Sequence, residues 1–377
     1  MKKKLTTWEA ACIITGYGIG AGVLSMPYLA EKNGFLVAMI ILTVAFIASY
    51  VLHMMIADLA LKSGNGAQVI SCLSKFLFRG KFKKALEIIF FVLMGLILIT
   101  NLAAYITGAE EVIVSLIPMP AIVAELIFYV VAAAVVLFGL KAVGISEKYA
   151  VGAIFVLIGV LAVGSAVAKH NVIPMTGGNL NKMLAYYGLA MFSMAAFFSV
   201  PQAVEGLDGN EKEIKKAVFL GLLNTYIMIS VITFCALWSS TEVTEVSMIG
   251  WSAGIGVWAQ VIGSLFTILA MLTTYWSLSL ALGGIIDDML KVGDKLSWLI
   301  ATLPSIIVAL LGFGGFMDLM RTAGGLIAII VAVMVIPAYA NARKEVEGSL
   351  LKHGGKVTEI LVFIAYILMA VGSVVPY

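Results

Sequence analysis

About halfway along the first hydrophobic stretch of the chain lies Gly16-Tyr17-Gly18-Ile19-Gly20-Ala21-Gly22-Val23-Leu24-Ser25-Met26-Pro27. Four glycines alternate here with other residues, and a proline follows five residues after the last glycine. In a helix interior, each glycine costs about 1 kcal/mol and a proline about 3 kcal/mol relative to alanine. We therefore expect a helix to break within this segment.

The composition places this break in a membrane. The chain has 377 residues, of which 62% are hydrophobic and 12% are charged, and its mean hydropathy is +1.08. Soluble domains are about 25% charged, so the sequence indicates a multi-pass protein whose surroundings are the lipid bilayer. The net charge of +3 is too small to indicate a nucleic-acid partner.

A broken helix in lipid leaves backbone N–H and C=O groups without partners. Such breaks are tolerated where the backbone lines a cavity or is buried in protein. Interrupted helices near the middle of the bilayer are typical of the binding sites of secondary transporters. The glycine-rich segment therefore predicts a ligand-binding site.

Eleven apolar runs are long enough to cross the bilayer, each near the ~20 residues that a spanning helix needs. Together they predict an all-α membrane protein with 11 transmembrane helices. The runs cover residues 7–30, 35–61, 84–107, 120–140, 148–168, 183–205, 217–238, 256–286, 297–313, 322–340 and 357–375.

The basic residues predict the orientation. If the N-terminus is cytoplasmic, 20 of the 24 Lys and Arg residues fall on the cytoplasmic side, as the positive-inside rule requires. An odd number of spans then makes the C-terminus extracellular. We expect the protein in the plasma membrane, with a short interfacial helix in the inner loop at 62–83.

A second interruption matches the first. Ser199-Val200-Pro201 in the sixth run parallels Ser25-Met26-Pro27 in the first, and the two runs cross the bilayer in opposite directions. Interrupted helices at corresponding positions indicate an inverted repeat. The predicted units are a first five-helix repeat at 1–170, a second at 171–345, and an additional C-terminal helix at 346–377.

These two segments carry a family resemblance. Gly18–Pro27 resembles the first-helix motif of the amino acid/auxin permease family, and the bacterial aromatic and hydroxy amino acid permeases are the most similar branch. The stretch Phe197–Gln202, followed by Asp208-Gly209-Asn210, is similar to their sixth helix and the loop after it. These permeases belong to the APC superfamily, which shares the five-plus-five inverted repeat of the leucine transporter. The resemblance implies a secondary amino acid transporter that works by alternating access.

The first break suits the carboxylate of an amino acid. The free N–H groups of Gly20, Ala21 and Gly22 would begin the outer half-helix, where the helix dipole also favours an anion. Gly18 belongs to the same predicted site. Another interpretation is close helix packing, because Gly16/Gly20 and Gly18/Gly22 are both G-x-x-x-G pairs.

Other runs supply the remaining predicted substrate contacts. Asn101 and Tyr105 lie one helical turn apart and therefore on one face, although Asn101 can equally form an interhelical hydrogen bond. Carbonyls freed at the second break suit an ammonium group. The resemblance implies that Phe192, Ser193 and Phe198 face the substrate, and Tyr275 or Ser277 are further candidates. Neutral lining residues favour a neutral amino acid.

A coupling cation is the only cofactor that we expect. Thr273 and Thr274, facing carbonyls freed at Gly16 and Ile19, would give sodium the hard oxygen ligands that it prefers. These hydroxyls can instead satisfy their own helix backbone. The resemblance supports sodium, because Asp287-Asp288 follows the threonines at a spacing found in sodium-coupled relatives.

Protons are the alternative coupling ion. Ionisable residues within membrane spans are functional candidates, and the apolar runs contain His53, Asp58, Glu87 and Glu125. None of the four is clearly central, and this observation favours sodium over protons.

Other functional classes fit less well. A nutrient receptor of the spore-germination type would share the fold and bind an amino acid without transporting it. A channel would need rings of like charges or a filter of repeated carbonyls, which a single pair of broken helices does not supply. An enzyme is not expected, because no nucleophile–base pair or metal cluster is predicted at membrane depth.

Overall fold

The computed structural model describes residues 4–64, 67–312, 326–327, 329–352 and 354–376. A 3-10 turn at Phe197–Ser199 precedes the ninth α-helix, and a π-helical turn at Val331–Val335 precedes the fourteenth. The α-helices described here are α1 (Thr7–Gly18), α2 (Ala21–Asn33), α3 (Phe35–Ser63), α4 (Val69–Phe76), α5 (Lys83–Leu116), α6 (Ala121–Leu137), α7 (Leu140–Val167), α8 (Leu180–Ser193), α9 (Val200–Gly206), α10 (Glu211–Ser239), α11 (Ser247–Ile255), α12 (Val257–Leu290), α13 (Asp294–Leu310), α14 (Ile336–Glu345) and α15 (Lys356–Val374).

Within the described residues, the length and composition of seven segments allow each to cross a membrane, and α1 with α2 forms an eighth as a bent pair. The seven are α3, α5, α7, α8 with α9, α10, α12 and α15. The prediction of a multi-pass membrane protein is confirmed, whereas the number of 11 transmembrane helices stays a prediction. The tenth predicted run, 322–340, falls partly on residues outside the described ranges.

The outer faces of these helices are apolar. On α3, the exposed side chains Leu36, Ile40, Val44 and Ile47 follow one another at intervals of three or four residues, which places them on one face of the helix. Contiguous apolar faces of this size are rare on soluble monomers. They are compatible with contact to lipid.

Helix α1 lies at the centre of the bundle. All residues from Glu9 to Gly18 are buried, and the helix packs against α7, α10 and α12. A capping box of Thr6 and Glu9 begins it, satisfying two backbone N–H groups that would otherwise lack partners. The N–H of Leu5 donates to the carbonyl of Gly206 over 2.8 Å. The start of α1 is thereby attached to the end of α9.

Both predicted breaks are confirmed. The axis of α1 is bent by 58° from that of the following half-helix, Gly22–Asn33. In the sixth run, α8 ends at Ser193, and the chain becomes helical again at the 3-10 turn and at Val200. Pro201 lies in the first turn of α9, where its missing N–H leaves no hydrogen bond unmade. Helix α2 packs along α8 and α1 contacts α9, so the two breaks are neighbours.

Two helices differ from the predicted runs in ways that affect the site. Helix α7 begins at Leu140, eight residues before the predicted start at 148, and α5 extends to Leu116 rather than 107. The predicted short helix in the loop at 62–83 is present as α4. The earlier start of α7 brings Glu147 into the interior.

Candidate functional site

A small cavity lies where the two breaks meet. Its volume, measured as the space open to the centre of a water molecule, is about 20 Å³, which is room for one or two waters. An amino acid therefore needs the surrounding side chains to move apart. The cavity is lined by Tyr17, Gly18, Gly20, Gly22, Asn101, Tyr105, Phe192, Ser193, Ala195, Leu278 and Ile327.

The glycines of the first break allow its neighbours to approach closely. A Cβ atom on Gly20 would overlap the Tyr105 hydroxyl and lie 3.1 Å from Oγ1 of Thr274. A Cβ on Gly22 would overlap the Ser193 side chain. These glycines therefore allow close packing of neighbouring helices, which was the alternative interpretation of the motif. Gly20 and Gly22 also line the cavity. Ala21 is the first residue of α2, and the first N–H groups of a helix have no partner within it.

Asn101 supplies a polar group in this cavity. The residue is 3% exposed, and among the described residues its Oδ1 atom has no hydrogen-bond partner. Tyr105 lines the same cavity from α5, as the one-turn spacing predicts. An amide oxygen accepts hydrogen bonds, so Asn101 can bind an ammonium or hydroxyl group of a ligand.

The second break contributes Phe192 and Ser193 to the lining, but Phe198 lies outside it. Phe198 is 2% exposed, and its ring packs against Phe197 at 4.6 Å and Tyr17 at 6.4 Å between centroids. Tyr17, which the sequence analysis overlooked, lines the cavity instead. Phe198 thus contacts Tyr17, which lines the cavity, but does not line the cavity itself.

Tyr275 also lies away from the cavity. Its hydroxyl is within 3.1 Å of the Ser305 hydroxyl on α13, and its ring packs edge-on against Phe128 of α6. This hydrogen bond holds the Tyr275 side chain on the side of α12 that faces α13. The structure therefore does not bring Tyr275 together with the other predicted substrate residues.

Two of the four residues predicted to bind sodium are in contact. The Thr274 hydroxyl lies 2.9 Å from the Gly16 carbonyl and 3.0 Å from that of Ala270. Thr273 instead donates to Ala270 within its own helix, which is the backbone-satisfying alternative. Ile19 is buried, and its N–H donates to the Thr15 carbonyl. Gly16 and Thr274 are thus in direct contact, whereas the Thr273 hydroxyl faces its own helix.

The acidic pair after the threonines holds the inner end of α12. Asp287 accepts from the N–H of Gly293 over 2.9 Å, and Asp288 accepts from the Ser71 hydroxyl of α4 over 2.7 Å. These contacts attach α12 to α4 and to the loop before α13.

The structure adds an acidic residue that the sequence analysis missed. Glu147 of α7 is fully buried, and its Oε1 accepts from the Ser277 hydroxyl over 2.7 Å. Its Oε2 has no hydrogen-bond partner among the described residues. A Cβ on Gly16 would overlap this carboxylate. Glu147 therefore lies against the same turn of α1 as Thr274.

The sequence signal for Glu147 was weak. An adjacent Glu-Lys pair close to the expected end of a span resembles a solvated helix terminus. The structure separates the two side chains, because the Lys148 ammonium lies over the ring of Tyr149, 5.0 Å from its centroid. Tyr149 is exposed, whereas Glu147 is fully buried. The burial of Glu147 depends on the packing of α7 against α1, which hydropathy does not report.

Of the four ionisable residues expected in the spans, His53 contacts the second break. Its Nε2 accepts from the N–H of Ala196 over 3.0 Å, and its Nδ1 lies 2.6 Å from the Ser49 carbonyl. A backbone N–H can only donate, so the ring is neutral and carries its proton on Nδ1. His53 thus holds the unwound segment against α3.

Asp58, Glu87 and Glu125 lie elsewhere. Asp58 pairs with Lys62 at 3.2 Å and accepts from the N–H of Leu350, so it attaches the segment before α15 to α3. Glu87 accepts from the Ser74 hydroxyl, and Glu125 is a buried residue of α6. Residues lining the cavity do not include any of the three.

An all-helical, multi-pass bundle with two adjacent broken helices around a small cavity is typical of secondary membrane transporters. Solved structures share this fold. MHP1, a nucleobase-cation-symport-1 family transporter, matches with a TM-score of 0.70 and 11% identity, over 98% of this chain and 91% of that one. The manganese transporter of Eremococcus coleocola matches with a TM-score of 0.67 and 15% identity, over 97% and 85%.

The chain belongs to the tryptophan/tyrosine permease family, whose sequence profile matches residues 3–373. It is also 24% identical over 401 residues to the tyrosine-specific transport system 1 of Haemophilus influenzae, covering 96% of this chain and 95% of that protein. The protein is thus a membrane amino acid transporter of the aromatic permease type, and the prediction that it is not an enzyme is confirmed. Its place within the amino acid/auxin permeases and the APC superfamily stays a prediction.

Proposed function

We propose that this protein carries an aromatic amino acid, tyrosine or tryptophan, across the plasma membrane by alternating access, together with a cation. The family match and the tyrosine transporter among its relatives support this substrate class. The predicted orientation, with a cytoplasmic N-terminus and an extracellular C-terminus, belongs to the same proposal.

The observation that carries the proposal is the distribution of groups around the cavity. The lining includes Gly20, which precedes α2, and Asn101, whose Oδ1 has no hydrogen-bond partner among the described residues. It also includes the rings of Tyr17, Tyr105 and Phe192. The substrate carboxylate would bind the N–H groups of Gly20, Ala21 and Gly22. Its ammonium group would bind Asn101 and the carbonyls of the second break. The aromatic walls suit an aromatic side chain.

The coupling ion is sodium or a proton. The predicted sodium ligands are Gly16, Ile19, Thr273 and Thr274, and of these the Gly16 carbonyl and the Thr274 hydroxyl lie 2.9 Å apart. One charge moving down a membrane potential of 100 mV releases about 2.3 kcal/mol. Either ion can therefore drive modest accumulation of substrate.

The direct test is thermal unfolding of the purified protein with each of the twenty amino acids, in sodium or in potassium chloride. A ligand at 100 times its Kd stabilises the folded state by about 2.7 kcal/mol. We expect tyrosine or tryptophan to raise the midpoint and alanine and charged amino acids to leave it unchanged. Tyramine, which lacks the carboxylate, should stabilise far less than tyrosine.

The alternative results separate the competing proposals. Stabilisation by tyrosine that requires sodium would support the threonine site, and equal stabilisation in potassium would favour protons. Stabilisation by small aliphatic amino acids alone would contradict the proposed substrate class.

A further inference from the structure

We propose that the turn before α5, together with the outer face of that helix, binds an anionic phospholipid whose phosphate lies at Lys81 and Lys84. The basic turn, residues 79–84, has the sequence Arg79-Gly80-Lys81-Phe82-Lys83-Lys84, with four basic residues and no acidic one. Every residue from 79 to 86 is exposed. This surface is separate from the substrate cavity and does not depend on the proposed transport function.

Two of the four positive charges of the basic turn are compensated within the protein. Arg79 pairs with Glu345 at the end of α14, and the Lys83 ammonium lies 3.9 Å from the Glu87 carboxylate. Among the residues that the structure describes, the other two lysines of the turn form no ion pair. Two exposed ammonium groups, three positions apart, can therefore bind an anion from outside the protein.

An exposed apolar face begins beside these two lysines. Phe82, Leu86 and Ile89 are exposed and follow one another at intervals of four and three residues, so they share one face of α5. Ile88 is also exposed and lies one turn after Lys84. Helix α5 is long and apolar enough to cross a membrane. Lysines at the end of such a span extend their ammonium groups to the level of the lipid headgroups.

The basic turn is held against the bundle on both sides. Phe78, which precedes it, is buried, and its ring packs against Phe90 of α5 with centroids 5.6 Å apart. The Ser74 hydroxyl of α4 donates to the Glu87 carboxylate, which joins α4 to the first turns of α5. A surface that is ordered before binding loses less conformational freedom when a ligand binds.

An anionic phospholipid matches both parts of this surface. Its phosphate supplies the negative charge that the two uncompensated lysines lack, and its acyl chains match the apolar face of α5. Anionic lipids of the cytoplasmic leaflet attract basic segments next to membrane helices, and the predicted orientation places the basic turn on that side. A soluble anion would use the two charges without the apolar face.

Another basic segment of the chain provides a matched control. At the start of α10, Lys212 and Lys216 are exposed, but Glu211 and Glu213 lie in the same helical turn. The acidic side chains offset the positive charge there. An anionic lipid is therefore not expected to prefer this segment.

The experiment is native mass spectrometry of the purified protein in detergent with dioleoylphosphatidylglycerol or dioleoylphosphatidylcholine. The two lipids have the same acyl chains, but only the first has a net negative charge. We expect the wild type to bind phosphatidylglycerol at least tenfold more tightly. Lys81→Gln/Lys84→Gln should weaken binding of phosphatidylglycerol at least fivefold and leave that of phosphatidylcholine unchanged. Lys212→Gln/Lys216→Gln should bind both lipids as the wild type does.

Equal affinity of the wild type for the two lipids would overturn the inference, as would unchanged binding of phosphatidylglycerol by Lys81→Gln/Lys84→Gln. Displacement of the bound lipid by millimolar inorganic phosphate would indicate a site for a free anion and would overturn the assignment to a lipid. If the double variant is poorly folded, the salt dependence of the wild type decides. Charge-based recognition at an exposed site weakens as salt rises, so a preference that does not change with salt would overturn the inference.

Discussion

At the residue scale, Gly20 is a position in the first break where the structure leaves no room for a side chain. A leucine there would place its side chain against the Tyr105 hydroxyl and Thr274, filling the cavity next to the N–H groups that would hold a carboxylate. We expect Gly20→Leu to lower tyrosine affinity at least 100-fold, a loss of about 2.7 kcal/mol. Thermal stabilisation or equilibrium binding of the purified variant measures this effect.

Gly152→Leu is the matched control, since a Cβ on Gly152 meets no atom within 4 Å. This variant replaces the same residue type on an exposed face of α7 and should bind tyrosine as the wild type does. If Gly20→Leu also bound tyrosine normally, the substrate site could not lie at the first break.

The sequence predicts some individual residues well and others poorly. Gly20, Gly22, Asn101 and Tyr105 follow from local rules, because glycines mark the break and one-turn spacing defines a face. Glu147 and Tyr275 do not, since their positions depend on which helix packs beside them. Neighbouring helices are a tertiary property that a single sequence reports weakly.

At the element scale, the second break is held in place by His53. Replacing it with alanine would leave the N–H of Ala196 without its acceptor, and an unsatisfied buried donor costs about 1–3 kcal/mol. We predict that His53→Ala lowers the stability of the folded protein by about this amount and weakens tyrosine binding. Denaturant unfolding in detergent micelles, with and without tyrosine, measures both.

Ser49→Ala is the control for this variant, because it keeps the Ser49 backbone carbonyl that His53 contacts. It should leave binding unchanged. A His53→Ala protein with wild-type stability and affinity would show that the unwound segment does not need this contact.

The breaks themselves could be predicted from sequence because glycine and proline act locally on the backbone. Helix ends were harder to predict. Helix α5 continues to Leu116 beyond the apolar run that ends near 107, because polar residues can continue a helix into water. Helix α7 also begins early, but its added turns include the buried residues Val143, Gly144 and Glu147. This difference concealed Glu147.

At the scale of the whole molecule, composition and hydropathy were sufficient for an all-helical membrane protein. The two interrupted runs indicated the transporter class, which the fold and the family match support. The five-plus-five inverted repeat over 1–170 and 171–345 stays a prediction. The size of the cavity could not be predicted, since it depends on how Tyr17, Tyr105 and Phe192 pack in three dimensions.

The small size of the cavity implies that parts of the molecule move when substrate binds. Because only about 20 Å³ is open in this arrangement, an aromatic amino acid enters only when the half-helices and the lining side chains move. A receptor would need this opening on one side of the membrane only. A transporter must open on both sides in turn, so movement of labelled substrate distinguishes the two.

The measurement that tests the central claim most directly is counterflow. Proteoliposomes containing the purified protein are loaded with unlabelled tyrosine and diluted into a trace of labelled tyrosine. Transport by alternating access predicts transient accumulation of label, which unlabelled tyrosine or tryptophan outside abolishes and alanine does not. No accumulation above protein-free liposomes, by a protein that tyrosine stabilises, would contradict transport and favour a receptor.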